Sequence, residues 1–141
     1  MSTAINPEVY TQPRKAILCL GQDVTTLRVR QMLLEHFGYK VWTTDSVEDA
    51  ANIAEDRCPD MLLMDSEHPD GDVEQVAARA KDVCPDLITV VLLPFYGARC
   101  SSHASVDRFL PRDNNPDLLV ANLEDLFERK AKEESTTPSP S

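Results

Sequence analysis

No apolar stretch in this sequence approaches 18 residues, which excludes a helical membrane span. The first 15 residues, Met1 to Lys15, lack the apolar core of a secretory signal peptide. Basic residues are scarce: 14 Lys and Arg stand against 24 Asp and Glu, a formal charge of −10. A chain this acidic is a poor electrostatic match for a phosphate backbone or an anionic membrane, so neither nucleic acid nor a membrane is expected as a partner. Cys19, Cys58, Cys84 and Cys100 form no Cys-x-x-Cys pair, which leaves zinc and dithiol redox motifs unsupported. A cytoplasmic chain whose four cysteines are reduced thiols is the expectation. No acid–base pair or nucleophile triad can be assembled, so an enzyme is not expected. The loop Gly21–Thr26 has one glycine and matches no phosphate-loop fingerprint.

What is present is one domain's worth of an ordinary globular composition: 141 residues, 42% hydrophobic and 27% charged. The two ends carry too little apolar surface to offset their ordering entropy. The expected organisation is an N-terminal arm over 1–14, a folded domain over 15–132 and a Ser/Thr/Pro tail over 133–141.

Inside the domain, short apolar runs alternate with helix-period segments. Ala16–Leu20 reads as a strand covered on both faces. A helix over Val24–Phe37 follows, with Asp23 as its cap, Gly38 at its end and an inward stripe of Val29, Met32, Leu33, His36 and Phe37. Val41–Thr44 is a second strand, and Ser46 opens a helix with Val47, Ala50, Ala51 and Ala54 inward. Met61–Met64 is a third strand ending at Asp65. A helix over Val73–Val83, capped by Asp72, then places Val73, Val76, Ala77 and Ala80 inward. Strands over Leu87–Leu93 and Val106–Leu110 and a last helix near Pro116, with Leu119, Leu123, Leu126 and Phe127 inward, complete the pattern. The stretch 94–105 has no clear apolar stripe, so a fourth helix there is short or degenerate. This alternation predicts an α/β fold: a flavodoxin-like (βα)5 doubly wound parallel sheet with strand order 2-1-3-4-5. Cys58-Pro59-Asp60 and Cys84-Pro85-Asp86 each stop a helix ahead of a strand. The two turns are expected at the same end of neighbouring strands, which brings Cys58 and Cys84 near enough to oxidise outside the cell.

In such a sheet, ligands bind outside the carboxyl ends of the strands at the switch point, here beside strands one and three. Asp65 is the sharpest residue there, because a carboxylate at that edge can accept a phosphoryl group or bind a metal. The plainer reading is a loop aspartate capping a turn. His68 reads as a solvated loop side chain, and Asp70 and Asp72 as turn residue and helix cap.

Three stretches resemble the response-regulator receiver domain, the CheY-like phosphoacceptor module of two-component signalling: Phe37-Gly38-Tyr39-Lys40-Val41, Pro59-Asp60-Met61-Leu62-Leu63-Met64-Asp65 with Pro69, and Phe109-Leu110-Pro111-Arg112 with Pro116. The resemblance spans about Lys15–Arg129 and puts Asp65 where that family is phosphorylated. It also implies departures. The two acidic residues that hold Mg²⁺ after strand one are replaced by Gly21 and Gln22, with Asp23 one residue late. The hydroxyl residue after strand four is Leu93, the lysine after strand five is Arg112, the proline that follows it is Asp113, and the aromatic switch position is Phe109. Glu67, two residues past Asp65, occupies a position that in receivers influences phosphoryl lifetime.

These substitutions carry physical consequences. Mg²⁺ needs near-octahedral oxygen ligands, and Asp23 and Asp65, with backbone oxygens, are weak candidates to supply them, Asp70 and Asp72 reading better as turn residue and helix cap, so Mg²⁺ binding is expected to be poor. Leu93 cannot hydrogen-bond a phosphoryl oxygen. Arg112 keeps a positive charge with a different reach, and an Arg112–Asp65 ion pair is expected at rest. The resulting expectation is a stand-alone pseudo-receiver that signals by contact with proteins, a histidine kinase or a downstream signalling protein. The resemblance implies a partner face of helix four, strand five and the last helix, through which a homodimer would also form, altered here by the erosion of helix four. The alternatives are a working receiver phosphorylated on Asp65 and, from another class, a small-ligand binder or enzyme on a flavodoxin-like scaffold.

Overall fold

The computed structural model describes residues 15–66, 73–94, 105–111 and 116–136. In chain order they form β1 (Ala16–Leu20), α1 (Val24–His36), β2 (Lys40–Thr44), α2 (Val47–Arg57), β3 (Met61–Asp65), α3 (Val73–Val83), β4 (Ile88–Leu93), β5 (Arg108–Pro111) and α4 (Pro116–Thr136). The five strands make one sheet in the order β2-β1-β3-β4-β5, and every pairing is parallel. This is the doubly wound architecture that the alternating pattern predicts. The central strands are mostly apolar because helices cover both faces of the sheet, with Thr89 on β4 and Asp65 at the end of β3 as buried polar residues.

Side chains alternate across the sheet with the strand period of two. Ile17, Cys19, Leu63, Val90 and Leu92 point to one face and pack with Leu27 and Leu34 of α1 and Val120, Leu123 and Leu126 of α4. Leu18, Leu20, Leu62, Met64 and Val91 point to the other and pack with Ala50 and Ala54 of α2 and Val76, Ala77 and Ala80 of α3. The inward residues of α3 are those the sequence predicts. Ser46 caps α2 as expected, its side chain accepting from the Asp49 N–H.

The inward face of α1 is a correction. The residues it buries are Leu27, Arg30 and Leu34, while Val29 and Met32 of the expected stripe are 62% and 64% exposed and Phe37 is also exposed. Of that stripe, Leu33 packs against the core. Helix α1 has two lines of apolar residues, and the line interrupted by an arginine is the one that faces the sheet. That line carries the core leucines Leu27 and Leu34, and its arginine meets a carboxylate on β3.

The four-thiol expectation is also corrected. Cys58 and Cys84 are joined in a disulfide with Cα atoms 5.6 Å apart, a separation ordinary for such a bridge. It ties the end of α2 to the end of α3, at the amino-terminal edge of β3 and β4. The two Cys-Pro-Asp turns do meet at this edge. Cys58 is the C-cap of α2 with φ 45°, a left-handed conformation usually left to glycine. Asp60 then secures β3 to β1, its side chain accepting from Ala16 N at 2.8 Å.

Strand β5 starts two residues later than the sequence suggests. The Asp107 carboxylate accepts from Thr89 N at 2.7 Å and from Lys81 Nζ at 2.8 Å. This residue therefore bonds through its side chain to β4 and α3 before the regular strand begins. The segment in which a degenerate helix is expected lies, from residue 95 to 104, outside the described residues. So do Glu67, His68, Arg112 and Asp113.

Candidate functional site

The carboxyl ends of β1, β3 and β4 open on the same edge of the sheet, and Asp65 closes β3 there, paired in register with Leu92. The next residue, Ser66, donates its N–H to Leu92 O at 3.0 Å, which holds the strand end against β4. Asp65 is 8% exposed although it ends a strand.

Its charge is met by Arg30. The guanidinium reaches from α1, with Nη2 3.6 Å from Asp65 Oδ1. Arg30 is itself only 6% exposed. It shares the buried face of α1 with Leu27 and Leu34, as a long side chain with an aliphatic stem can. Arg30 Nη1 is buried and has no hydrogen-bond partner among the described residues. Buried charges persist when they are paired, because burying either one alone costs several kcal/mol, on the order of 3–5. The Arg112 expected to pair with Asp65 lies outside the described residues; among the described residues the cation at Asp65 is Arg30. Sequence periodicity hides this residue because an arginine between two leucines reads as the polar side of a helix.

The loop after β1 fits this arrangement. Gly21 donates its N–H to Thr44 O at 3.1 Å and so continues the β1–β2 pairing. A Cβ at Gly21 would stand 2.8 Å from Asp65 Oδ2 and 3.1 Å from Leu27 Cδ2. Asp65 therefore leans into space that any larger residue at position 21 would fill. Gln22 is exposed. Asp23 caps α1: Oδ1 accepts from Thr25 N at 3.1 Å and Oδ2 from Thr26 Oγ1 at 2.7 Å. Among the described residues there is no group of three His, Cys, Asp or Glu side chains able to hold a metal ion. Leu93 closes β4 in register with Pro111, and Phe109 packs partly buried on the face shared with α2 and α3.

Cys19 lies beneath the pair on β1. Burial pushes its thiol up to about 12, with the Arg30 charge pulling it down and the Asp65 charge pushing it up. The thiolate is the reactive form, so Cys19 is expected to resist iodoacetamide at neutral pH until the protein unfolds. Peptide mapping of native and urea-treated protein checks this. Native labelling at Cys19 would show a more open β1.

Beside the site, α1 and α4 flank a groove of about 830 Å³ whose lining includes Val29, Arg30, Leu33, Leu92, Leu110 and Leu119. Val29 and Met32 on α1 and Leu118 on α4 are exposed.

No protein-family model matches this sequence, and no curated protein matches it. Solved structures do. A CheY-like response regulator receiver domain protein from Methanospirillum hungatei JF-1 is 20% identical with a TM-score of 0.77, covering 86% of this chain and 99% of its own. The response regulator TrrA from Thermotoga maritima, solved in complex with Mg²⁺ and beryllofluoride, is 20% identical with a TM-score of 0.71, covering 79% and 98%. The signal receiver domain of an HD domain-containing protein from Pseudomonas fluorescens Pf-5 is 19% identical with a TM-score of 0.74, covering 86% and 100%. The chain has the receiver fold.

Proposed function

We propose that this protein is a pseudo-receiver: a receiver-fold signalling module of the two-component type that works by protein contact rather than by phosphorylation of Asp65. The observation that carries this reading is the buried Arg30–Asp65 pair. A phosphoacceptor must present its carboxylate to a donor and neutralise the added charge as the phosphoryl group arrives. Asp65 is instead held under α1 by a guanidinium, beside a glycine that leaves room for nothing but its own oxygen. Leu93 and Phe109 offer no hydroxyl to a phosphoryl group. The partners in this reading are a histidine kinase or a downstream signalling protein. The apolar contact area is that of Val29 and Leu118, since exposed apolar side chains lining a groove mark contact sites. The protein is not an enzyme in this reading.

The test is treatment with acetyl phosphate and Mg²⁺, followed by intact mass measurement, for wild type beside Asp65→Asn. The expected result is no phosphoryl adduct on either. An adduct on wild type alone would replace this reading with that of a working receiver phosphorylated on Asp65.

A further inference from the structure

We propose that the Cys58–Cys84 bridge is a reversible redox switch, opened by small thiols at the exposed Cys58 sulfur, that latches the last turn of α2 to α3. The switch is independent of whether Asp65 accepts a phosphoryl group.

The bridge is lopsided. Cys58 is exposed, whereas Cys84 is 1% exposed. A thiolate therefore reaches the disulfide from the Cys58 side, and exposed disulfides belong to the labile, regulatory class. The buried side is prepared for the reduced state. Cys84 Sγ stands 3.0 Å from Ala54 O. A bridged sulfur has no proton to donate, but a thiol does, so Cys84 meets an acceptor as soon as the bridge opens. Ala54 O also accepts the Cys58 N–H at 2.9 Å, and a carbonyl has a second lone pair for the thiol.

The packing fixes what the bridge controls. Ala54 is the last residue of α2 in the core. Glu55, Asp56, Arg57 and Cys58 are all exposed, and the turn ends on a cysteine at φ 45°, a left-handed conformation unfavourable for a residue with a side chain. The chain on the far side is anchored without the bridge: Asp60 N donates to Ala16 O at 2.8 Å and Ile88 N to Asp60 O at 3.1 Å. Cys84 is likewise held by its own helix, its N–H donating to Ala80 O at 2.9 Å. Opening the bridge therefore releases the turn over 55–58 and leaves β3 and α3 in place.

The exchange balances. An external thiolate attacks Cys58 Sγ, the Cys58–Cys84 bond breaks, and Cys84 leaves as a thiolate that takes up a proton. A second external thiolate attacks its counterpart in the mixed disulfide, and Cys58 leaves as a thiolate that is protonated in turn. Two small thiols end as one small disulfide, and the protein gains two electrons and two protons. Closing is the reverse, with the small disulfide as oxidant.

The test uses native full-length protein carrying Cys100→Ser, so that the bridge and Cys19 hold the remaining sulfurs. It is equilibrated in glutathione buffers of varied reduced-to-oxidised ratio, alkylated and weighed intact. Bridged and dithiol fractions are expected to follow the ratio and to agree from either starting form. With Cys84→Ala added, oxidised glutathione is expected to leave its adduct on Cys58 and none on the buried Cys19. Trypsin reads the released turn: reduction is expected to raise cleavage after Arg57 about tenfold more than cleavage after Arg28 or Arg79, as local rather than global opening requires. A bridge that reduced glutathione opens only in urea is a structural staple and overturns the proposal. So does a folded Cys84→Ala protein without the Cys58 adduct, or cleavage that rises in equal proportion at all three arginines. The glutathione titration leaves both bridging residues unchanged, so it decides even where Cys84→Ala does not fold.

Discussion

Asp65→Asn is expected to destabilise the protein by about 3 kcal/mol, because it strands a buried guanidinium without its counter-charge. Arg30→Met is expected to cost about as much by stranding the carboxylate. The double variant Arg30→Met/Asp65→Leu removes both charges and should recover most of the loss, since replacing a whole buried pair with apolar groups is often close to neutral. Urea unfolding of the four proteins gives the coupling directly. The sign is the informative part. In a cluster of several carboxylates, neutralising one relieves repulsion between like charges and raises stability. Here the same change should lower it. An Asp65→Asn variant as stable as wild type would mean that Arg30 is not the partner that keeps Asp65 charged and buried.

Reducing the Cys58–Cys84 bridge is expected to cost about 3.5 kcal/mol, the loop-closure entropy of a segment this long. For a domain of this size that lowers the melting temperature by on the order of 10 °C. Calorimetry with and without dithiothreitol measures it, and Cys58→Ala/Cys84→Ala should melt near the reduced wild type and be insensitive to the reductant. Four free thiols in unreduced, denatured protein would show that the bridge does not form. The bridge lies at the amino-terminal edge of the sheet, opposite Asp65. Reduction should therefore leave the response to Mg²⁺ and acetyl phosphate unchanged.

The architecture was legible because it rests on local signals that point the same way. Apolar runs such as Ala16–Leu20 and Met61–Met64 are too short for helices and too continuous for half-exposed strands. Parallel strands require crossovers, and the segments between them have helical period and sensible caps at Asp23 and Ser46. The edge where Asp65 sits follows from the topology, since ligand-facing loops gather at the carboxyl ends. The unusual states of Gly21 and Gln22 were likewise visible, as residue types that cannot supply carboxylates.

What the amino-acid order could not settle was which of two apolar lines on α1 faces the sheet, and therefore which cation meets Asp65. Hydrophobic pattern favours Val29 and Met32. The fold buries Arg30 instead, on the same face as Leu27 and Leu34, with its charge paired to a residue 35 positions away in sequence. The proximity of Cys58 and Cys84, by contrast, followed from the two Cys-Pro-Asp turns ahead of neighbouring strands, and the structure added the bond between them. Local sequence determined the elements, their order and the rim on which chemistry would sit. Only the tertiary structure decided the electrostatics of that rim, because the energy of a buried charge depends on what is packed against it and not on its neighbours along the chain.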